Sequence, residues 1–183
     1  MIVVLASNSP RRREILTLAG IPFTVRVPDI PEILSGGESA GAYVKRLAAA
    51  KAHAVTRSPS EIVLAADTVV VVDGLILEKP DDPEDARWMI WKLSGREHQV
   101  LTGICLLLGD EEIVDVATTL VRFSDLTSEE VDEYVNSGEP VDKAGSYAIQ
   151  GLASKFIESV NGCYFNVMGL PISLVYKHLK RFQ

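Results

Sequence analysis

The chain has 183 residues, 47% of them hydrophobic, enough to bury a sizeable core as one domain or two small lobes. Its 25 acidic side chains against 18 basic ones give a formal net charge of -7, which argues against nucleic acid polymers or an anionic membrane as general partners, since both need a basic footprint. Cys105 and Cys163 have neither CxxC nor framework spacing, no apolar run reaches the roughly 18 residues of a membrane span, and Ile2–Ala6 is too short for a signal segment, so the expectation is a soluble cytoplasmic protein without structural zinc.

Helical and strand periods alternate along the sequence, which predicts an α/β fold. IVVLA reads as a buried strand, and Ser7-Asn8-Ser9 lead into a helix with Pro10 at its first position and Gly20 just past its end. Residues 22–37 hold three prolines and two glycines and read as an irregular loop. Ser39 can cap a helix to about Val55, with Tyr43, Leu47, Ala50 and Ala54 as its core stripe. IVLAADTVVVVDGLIL gives a strand, the pair Asp67-Thr68, and two short β-runs about the turn dipeptide Asp73-Gly74.

Asp82, Pro83 and Asp85 open the next helix, which buries Ala86, Met89, Ile90 and Leu93 before Gly95 stops it. HQVLTGICLLL and IVDVATTLVRF read as long antiparallel strands joined through residues 109–112, followed by a helix from the Thr127–Glu130 capping box to near Gly138. The loop DKAGSYAIQG, a strand KFIESV, a turn at Asn161-Gly162 and a helix from near Pro171 to Arg181 complete a mixed sheet fold.

Polar residues that break these patterns are the candidates for chemistry. Asp67 lies between apolar runs, where an unpaired carboxylate costs several kcal/mol, so it needs a cation. It reads either as an aspartate ending a strand or as a metal ligand or general base, with Glu32 as its partner. Lys51 shares a helical stripe with Val44, Ala48 and Val55, so its ammonium either snorkels or meets an anion. Lys79 sits in the extended segment after the hairpin, and Lys143 and Lys155 flank the glycine-bearing loop. His53, His98 and His178 lack ligand spacing and receive no role.

Arg11, Arg12 and Arg13 stand at the positive end of a helix, which is unfavourable by ~0.3–1 kcal/mol each without a nearby anion. With Ser7 and the free backbone N–H groups they have the parts of a polyphosphate cradle, although neither a Walker A loop nor GxGxxG is present. The alternative is a solvated turn with pairs such as Arg11 and Glu14. If the cluster awaits an anion, removing Arg12 should weaken polyphosphate binding while the apo protein loses little stability or even gains some.

LASNSPRRREIL, YVKRLAAAKA, AADTVVVVDGLILEKP, LSGREHQVLTG and DKAGSYAIQG with NVMGLP together resemble the Maf-type nucleoside triphosphate pyrophosphatases, in order and over nearly the whole chain. The resemblance implies a single domain over residues 1–183 with an elongated mixed α/β sheet, two lobes and a central cleft, related to the inosine triphosphatase architecture and often homodimeric. It implies hydrolysis of a nucleoside triphosphate between its α- and β-phosphates with a divalent cation, Mg2+, Mn2+ or Co2+. Asp67 matches the proton acceptor and Glu32 a metal partner; Arg12, Lys51 and Lys79 match triphosphate-neutralising positions. Arg11, Thr68 and Gln150 match positions associated with base choice in the dTTP/UTP subgroup, and the loop is closer to that subgroup than to the one acting on 7-methyl-GTP. Ala148 and Glu78 stand where glycine is commoner. Two other functions stay open: a non-catalytic nucleotide-binding regulator of septum formation, and a purine-sanitising inosine triphosphatase-type enzyme.

Overall fold

The computed structural model of the chain describes residues 2–182. In chain order these form β1 (Ile2–Leu5), α1 (Pro10–Leu18), β2 (Phe23–Val25), α2 (Ala40–His53), β3 (Glu61–Val72), β4 (Leu75–Leu77), α3 (Pro83–Leu93), β5 (Glu97–Leu108), β6 (Glu111–Phe123), α4 (Ser128–Asn136), β7 (Ile157–Asn161), α5 (Tyr164–Val167) and α6 (Ile172–Leu179), with short 3-10 turns. The strands form one seven-stranded sheet in the order β2-β1-β3-β5-β6-β7, and β4 pairs with β3. Pairings β1–β2 and β1–β3 are parallel, whereas β3–β4 and β6–β7 are antiparallel, so the sheet is mixed as expected.

Internal contacts divide the chain into two compact units. The first comprises Met1–Thr68, Thr102–Ala117 and Gly169–Gln183. Its α2 is capped by Ser39, whose side chain accepts from the Ala42 N–H. The helix buries Tyr43, Val44, Leu47, Ala48, Lys51 and Ala52, so the expected stripe holds at Tyr43 and Leu47 but runs through Ala48 and Lys51, not Ala50 and Ala54. Ala48 and Ala52 pack with Val4, Val63, Cys105 and Leu107. A Cβ on Gly103 would lie 2.4 Å from the Val44 carbonyl oxygen, so this glycine lets the α2 backbone come directly against β5.

The second unit comprises Val69–Leu101 and Thr118–Met168. Asp82 caps α3 by accepting from the Asp85 N–H at 2.8 Å, and Ala86, Met89, Ile90 and Leu93 are the buried face, as the 3.6-residue period predicts. The capping box of α4 is complete: Thr127 Oγ1 accepts from Glu130 N, and Glu130 Oε2 from Thr127 N. Both helices contribute to a core around Phe123, Tyr134 and Phe156. The β3–β4 turn has Asp73 at φ 50° and Gly74 at φ 78°, the paired left-handed conformation of a two-residue hairpin.

Three features differ from the sequence reading. β3 runs unbroken through Asp67-Thr68, because both side chains find internal partners, described below. The segment read wholly as loop contains β2, three mostly exposed edge residues with no alternation to signal them. One further turn of helix, α5, follows the Asn161-Gly162 turn. Smaller shifts concern ends: α2 stops at His53, β7 starts at Ile157, and α6 stops at Leu179 before a 3-10 turn to Phe182.

Candidate active site

The first unit holds seven of the nine candidate residues. Ser9 caps α1, accepting from the Arg12 N–H at 3.4 Å, and Pro10 occupies the first turn. This start phases the helix so that Arg12, Ile15 and Leu16 face inward together. The three arginines therefore part company. Arg13 donates from Nη2 to Asn8 Oδ1 at 2.9 Å, Arg11 is half-buried, and Arg12 is buried.

The Arg12 guanidinium is held by neutral oxygens. Nε donates to the Gly169 carbonyl at 2.8 Å, Nη1 to Ser7 Oγ at 3.1 Å and Nη2 to Thr68 Oγ1 at 3.2 Å. Ser7 Oγ also accepts from Ser9 N at 3.1 Å, and Thr68 Oγ1 lies 2.9 Å from Thr102 Oγ1. Burial moves the Arg12 pKa below its usual value, a shift opposed by the fields of Asp67 and Glu32 and reinforced by Arg11.

Asp67 is 5% exposed and Lys51 7%, and the cation that the apolar surroundings of Asp67 call for is the Lys51 ammonium. Lys51 Nζ lies 2.6 Å from Asp67 Oδ1 and 2.6 Å from Glu32 Oε1. The two carboxylates expected to hold a metal thus converge on one nitrogen. Asp67 and Thr68 are successive strand residues, so their side chains leave β3 on opposite sides, one to Lys51 and the other to Arg12. Among the described residues no group of three His, Cys, Asp or Glu side chains is arranged to hold a metal ion. Two carboxylates are nevertheless a donor set that suits Mg2+, which commonly takes one or two protein carboxylates and fills its remaining positions with water and substrate phosphate oxygens.

Lys79 and Gln150 belong to the second unit, and both are exposed. The Gly145 N–H donates to the Glu78 carbonyl at 2.9 Å, tying the AGSYAIQG loop to the residue before Lys79. Among the described residues Asp73, Asp142 and Ser146 are the non-glycine positions with positive φ, so Glu78 and Ala148 replace glycine without left-handed strain. Lys143 donates to the Glu139 and Val141 carbonyls, and Lys155 pairs with Glu133 at 3.6 Å.

The sequence reading passed over the residues that build this loop. His98, left without a role, is 2% exposed with Nε2 2.8 Å from the Tyr147 hydroxyl, and burial lowers its pKa to about 4. Tyr134 and Glu139 contact the loop backbone. Their signal was a tyrosine on the inward face of α4 and an acid just past its end, which local patterns do not separate from ordinary packing.

Comparison with known proteins gives the family. The Maf-like protein family profile matches residues 2–182. This chain belongs to that family. A relative named dTTP/UTP pyrophosphatase from Symbiobacterium thermophilum is 51% identical to the Maf-like chain over 181 residues, covering 98% of it and 93% of the relative. A protein of the same name from Koribacter versatilis is 46% identical, covering 99% and 94%. Among solved structures, the Staphylococcus aureus Ham1 protein aligns over 100% of both chains with a TM-score of 0.57 at 17% identity, a likeness of fold. The mixed α/β architecture that the resemblance implied is thus the one this Maf-like protein adopts.

Proposed function

We propose that this Maf-like protein is a nucleoside triphosphate pyrophosphatase that hydrolyses dTTP and UTP to the monophosphate and pyrophosphate. The observation that carries the reading is the Glu32–Lys51–Asp67 group beside a buried arginine whose three hydrogen bonds all go to neutral oxygens. A buried guanidinium balanced by hydroxyls and a carbonyl retains its full charge for an anion, and a mid-strand carboxylate with an ammonium partner suits water activation. The relatives named dTTP/UTP pyrophosphatase support the pyrimidine choice.

In this mechanism the Asp67 carboxylate accepts a proton from the attacking water. The water oxygen bonds to the α-phosphorus, the bond bridging α- and β-phosphates breaks, and its electron pair leaves with pyrophosphate. Arg12, Lys51 and Lys79 offset the triphosphate charge as it moves onto the leaving group, while Ser7 contributes to phosphate binding. Glu32 and Asp67 would hold a divalent cation, which supplies Lewis-acid neutralisation of phosphate oxygens and lowers the pKa of water. Arg11, Thr68 and Gln150 act in base choice. The alternating O4, N3–H and O2 edge of uracil or thymine matches the paired acceptor and donor of the Gln150 amide.

No helix among the described residues is long and apolar enough to cross a membrane. A cytoplasmic location and a homodimer belong to the same proposal. The location is supported by free cysteines, and the dimer by the family resemblance alone.

The test is a panel of dTTP, UTP, GTP, 7-methyl-GTP and ITP with identification of the nucleotide product, run on wild type, Asp67→Asn and Gln150→Glu. Wild type should favour dTTP and UTP and release pyrophosphate. Folded Asp67→Asn should be inactive, because an amide is neither a base nor a good ligand for a hard cation. Gln150→Glu sets an oxygen against a pyrimidine oxygen, which should cost pyrimidines roughly 1–3 kcal/mol while sparing guanine bases. Near-normal turnover by Asp67→Asn removes it from the chemistry, and an equal fall on all substrates removes Gln150 from base choice.

A further inference from the structure

The segment carrying Gln150 is strained. Asp142 and the fully buried Ser146 have φ of 63° and 62°, flanking Gly145 at 64°. Non-glycine residues in this region cost roughly 1–3 kcal/mol each and persist only where their surroundings fix them. A Cβ on Gly145 would lie 2.6 Å from Val70 Cγ2, so the backbone here is pressed against the second unit's core.

One carboxylate closes the segment. Glu139 Oε2 accepts from the Leu152 N–H at 2.8 Å, and Oε1 accepts from the Ala153 N–H at 3.4 Å. The same Oε1 lies 3.2 Å from the Tyr134 hydroxyl, which is also 3.1 Å from the Ser146 carbonyl. Burial and the Glu139 charge raise the Tyr134 pKa, so the phenol keeps the proton it shares between these acceptors. Gly151 is required by this closure, since a Cβ there would meet Glu139 Oε1 at 2.3 Å. Gln150 sits in the turn next to it, closed by a 3.1 Å bond from Gly151 N to the Ala148 carbonyl.

We infer that Glu139 is a positioning residue for base choice, fixing Gln150 by clamping the loop at Gly151-Leu152-Ala153 and, through Tyr134, at Ser146. The assignment rests on the reading of Gln150 as the residue that meets the base. Glu139 touches no substrate in this account; it acts through the backbone of its own loop.

Glu139→Gln keeps the size but offers one acceptor oxygen to two backbone donors and turns an NH2 toward the other. Its kcat/KM for dTTP and UTP should fall about tenfold, mostly in KM, while that for GTP changes less than about twofold. Amide exchange at Leu152 and Ala153 should quicken in the apo protein. Tyr134→Phe, which keeps the core ring, should move the pyrimidine-to-GTP ratio in the same direction by less. In a Gln150→Ala background the Glu139→Gln effect on that ratio should vanish, which a merely structural role would not produce. An equal fall on all triphosphates, or a ratio effect that survives without Gln150, overturns the assignment. If wild type itself does not prefer dTTP and UTP, the proposed function falls and the assignment falls with it. A wild-type preference left intact by both Glu139→Gln and Tyr134→Phe overturns the assignment alone.

Discussion

Arg12 serves the structure as well as any bound anion. Its three donors reach the segment after β1, the middle of β3 and the turn between α5 and α6, at Ser7, Thr68 and Gly169. Arg12→Ala would leave Ser7 and Thr68 their other partners, Ser9 N and Thr102 Oγ1, but would take the donor from the Gly169 carbonyl. The expected outcome is a stability loss of roughly 1–3 kcal/mol, set by the unsatisfied carbonyl and lightened by relief of a buried charge. This replaces the expectation that the apo protein would hardly notice the change. Nucleotide affinity should still fall by about 1.5–3 kcal/mol with the loss of a charge-assisted contact. Urea denaturation of the apo protein and nucleotide titration of the folded variant check the two parts separately. The contrast also marks what was legible at this scale. The charge deficit of Asp67 was written in the apolar run around it, and the inward phase of Lys51 in its helical spacing. That Lys51 would answer both Asp67 and Glu32 was not legible, because it depends on where an irregular loop brings Glu32.

At the scale of elements, signals that are local were read well. Caps on α3 and α4 and the Asp73-Gly74 hairpin depend on residues within a few positions of one another, and the long strands β5 and β6, neighbours in the sheet, are consecutive in the chain. β3 was misjudged at Asp67-Thr68 since two consecutive polar residues look like a strand end until long-range partners on both sides are known. β5 carries a similar case in His98, whose ring packs edge-on against Phe123 and Tyr147 with centroids 5.2 and 5.4 Å away. Burial lowers its pKa from 6.5 to about 4, so the folded protein refuses a proton that the unfolded chain accepts. The stability tied to His98 is therefore complete above about pH 6.5 and is lost as pH falls from there toward 4, with a limiting slope of about 1.4 kcal/mol per unit. Between pH 7 and pH 5 this amounts to about 2 kcal/mol. His98→Gln keeps a hydrogen-bonding group for Tyr147 but does not titrate. Urea midpoints at the two pH values should show a smaller acid loss in the variant by about that amount. Equal losses in both proteins would mean that His98 is not held neutral by burial.

For the whole molecule, the decisive feature is how the chain is threaded. It passes between the two units at residues 68/69, 101/102, 117/118 and 168/169, and the first three crossings fall inside β3, β5 and β6. A strand cut at its middle loses the ladder bonds that hold register, so unfolding of one unit should not stop at the boundary. The sequence supplies a probe on each side. The two tryptophans, Trp88 and Trp91, lie on α3 of the second unit. Cys105 lies in β5 within the first unit, fully buried, its thiol pKa pushed up to about 12 by burial, so it resists labelling while its unit stays folded. In a Cys163→Ser variant, tryptophan fluorescence and pulsed thiol labelling across a urea series should give the same midpoint. Pyrophosphatase activity should vanish at that midpoint too, because Asp67 and Thr68 are the last β3 residues of the first unit and loosening there releases Lys51 and Arg12 from their partners. A fluorescence transition at lower urea, with Cys105 still protected, would show that the second unit unfolds alone and that strand continuity does not couple the two.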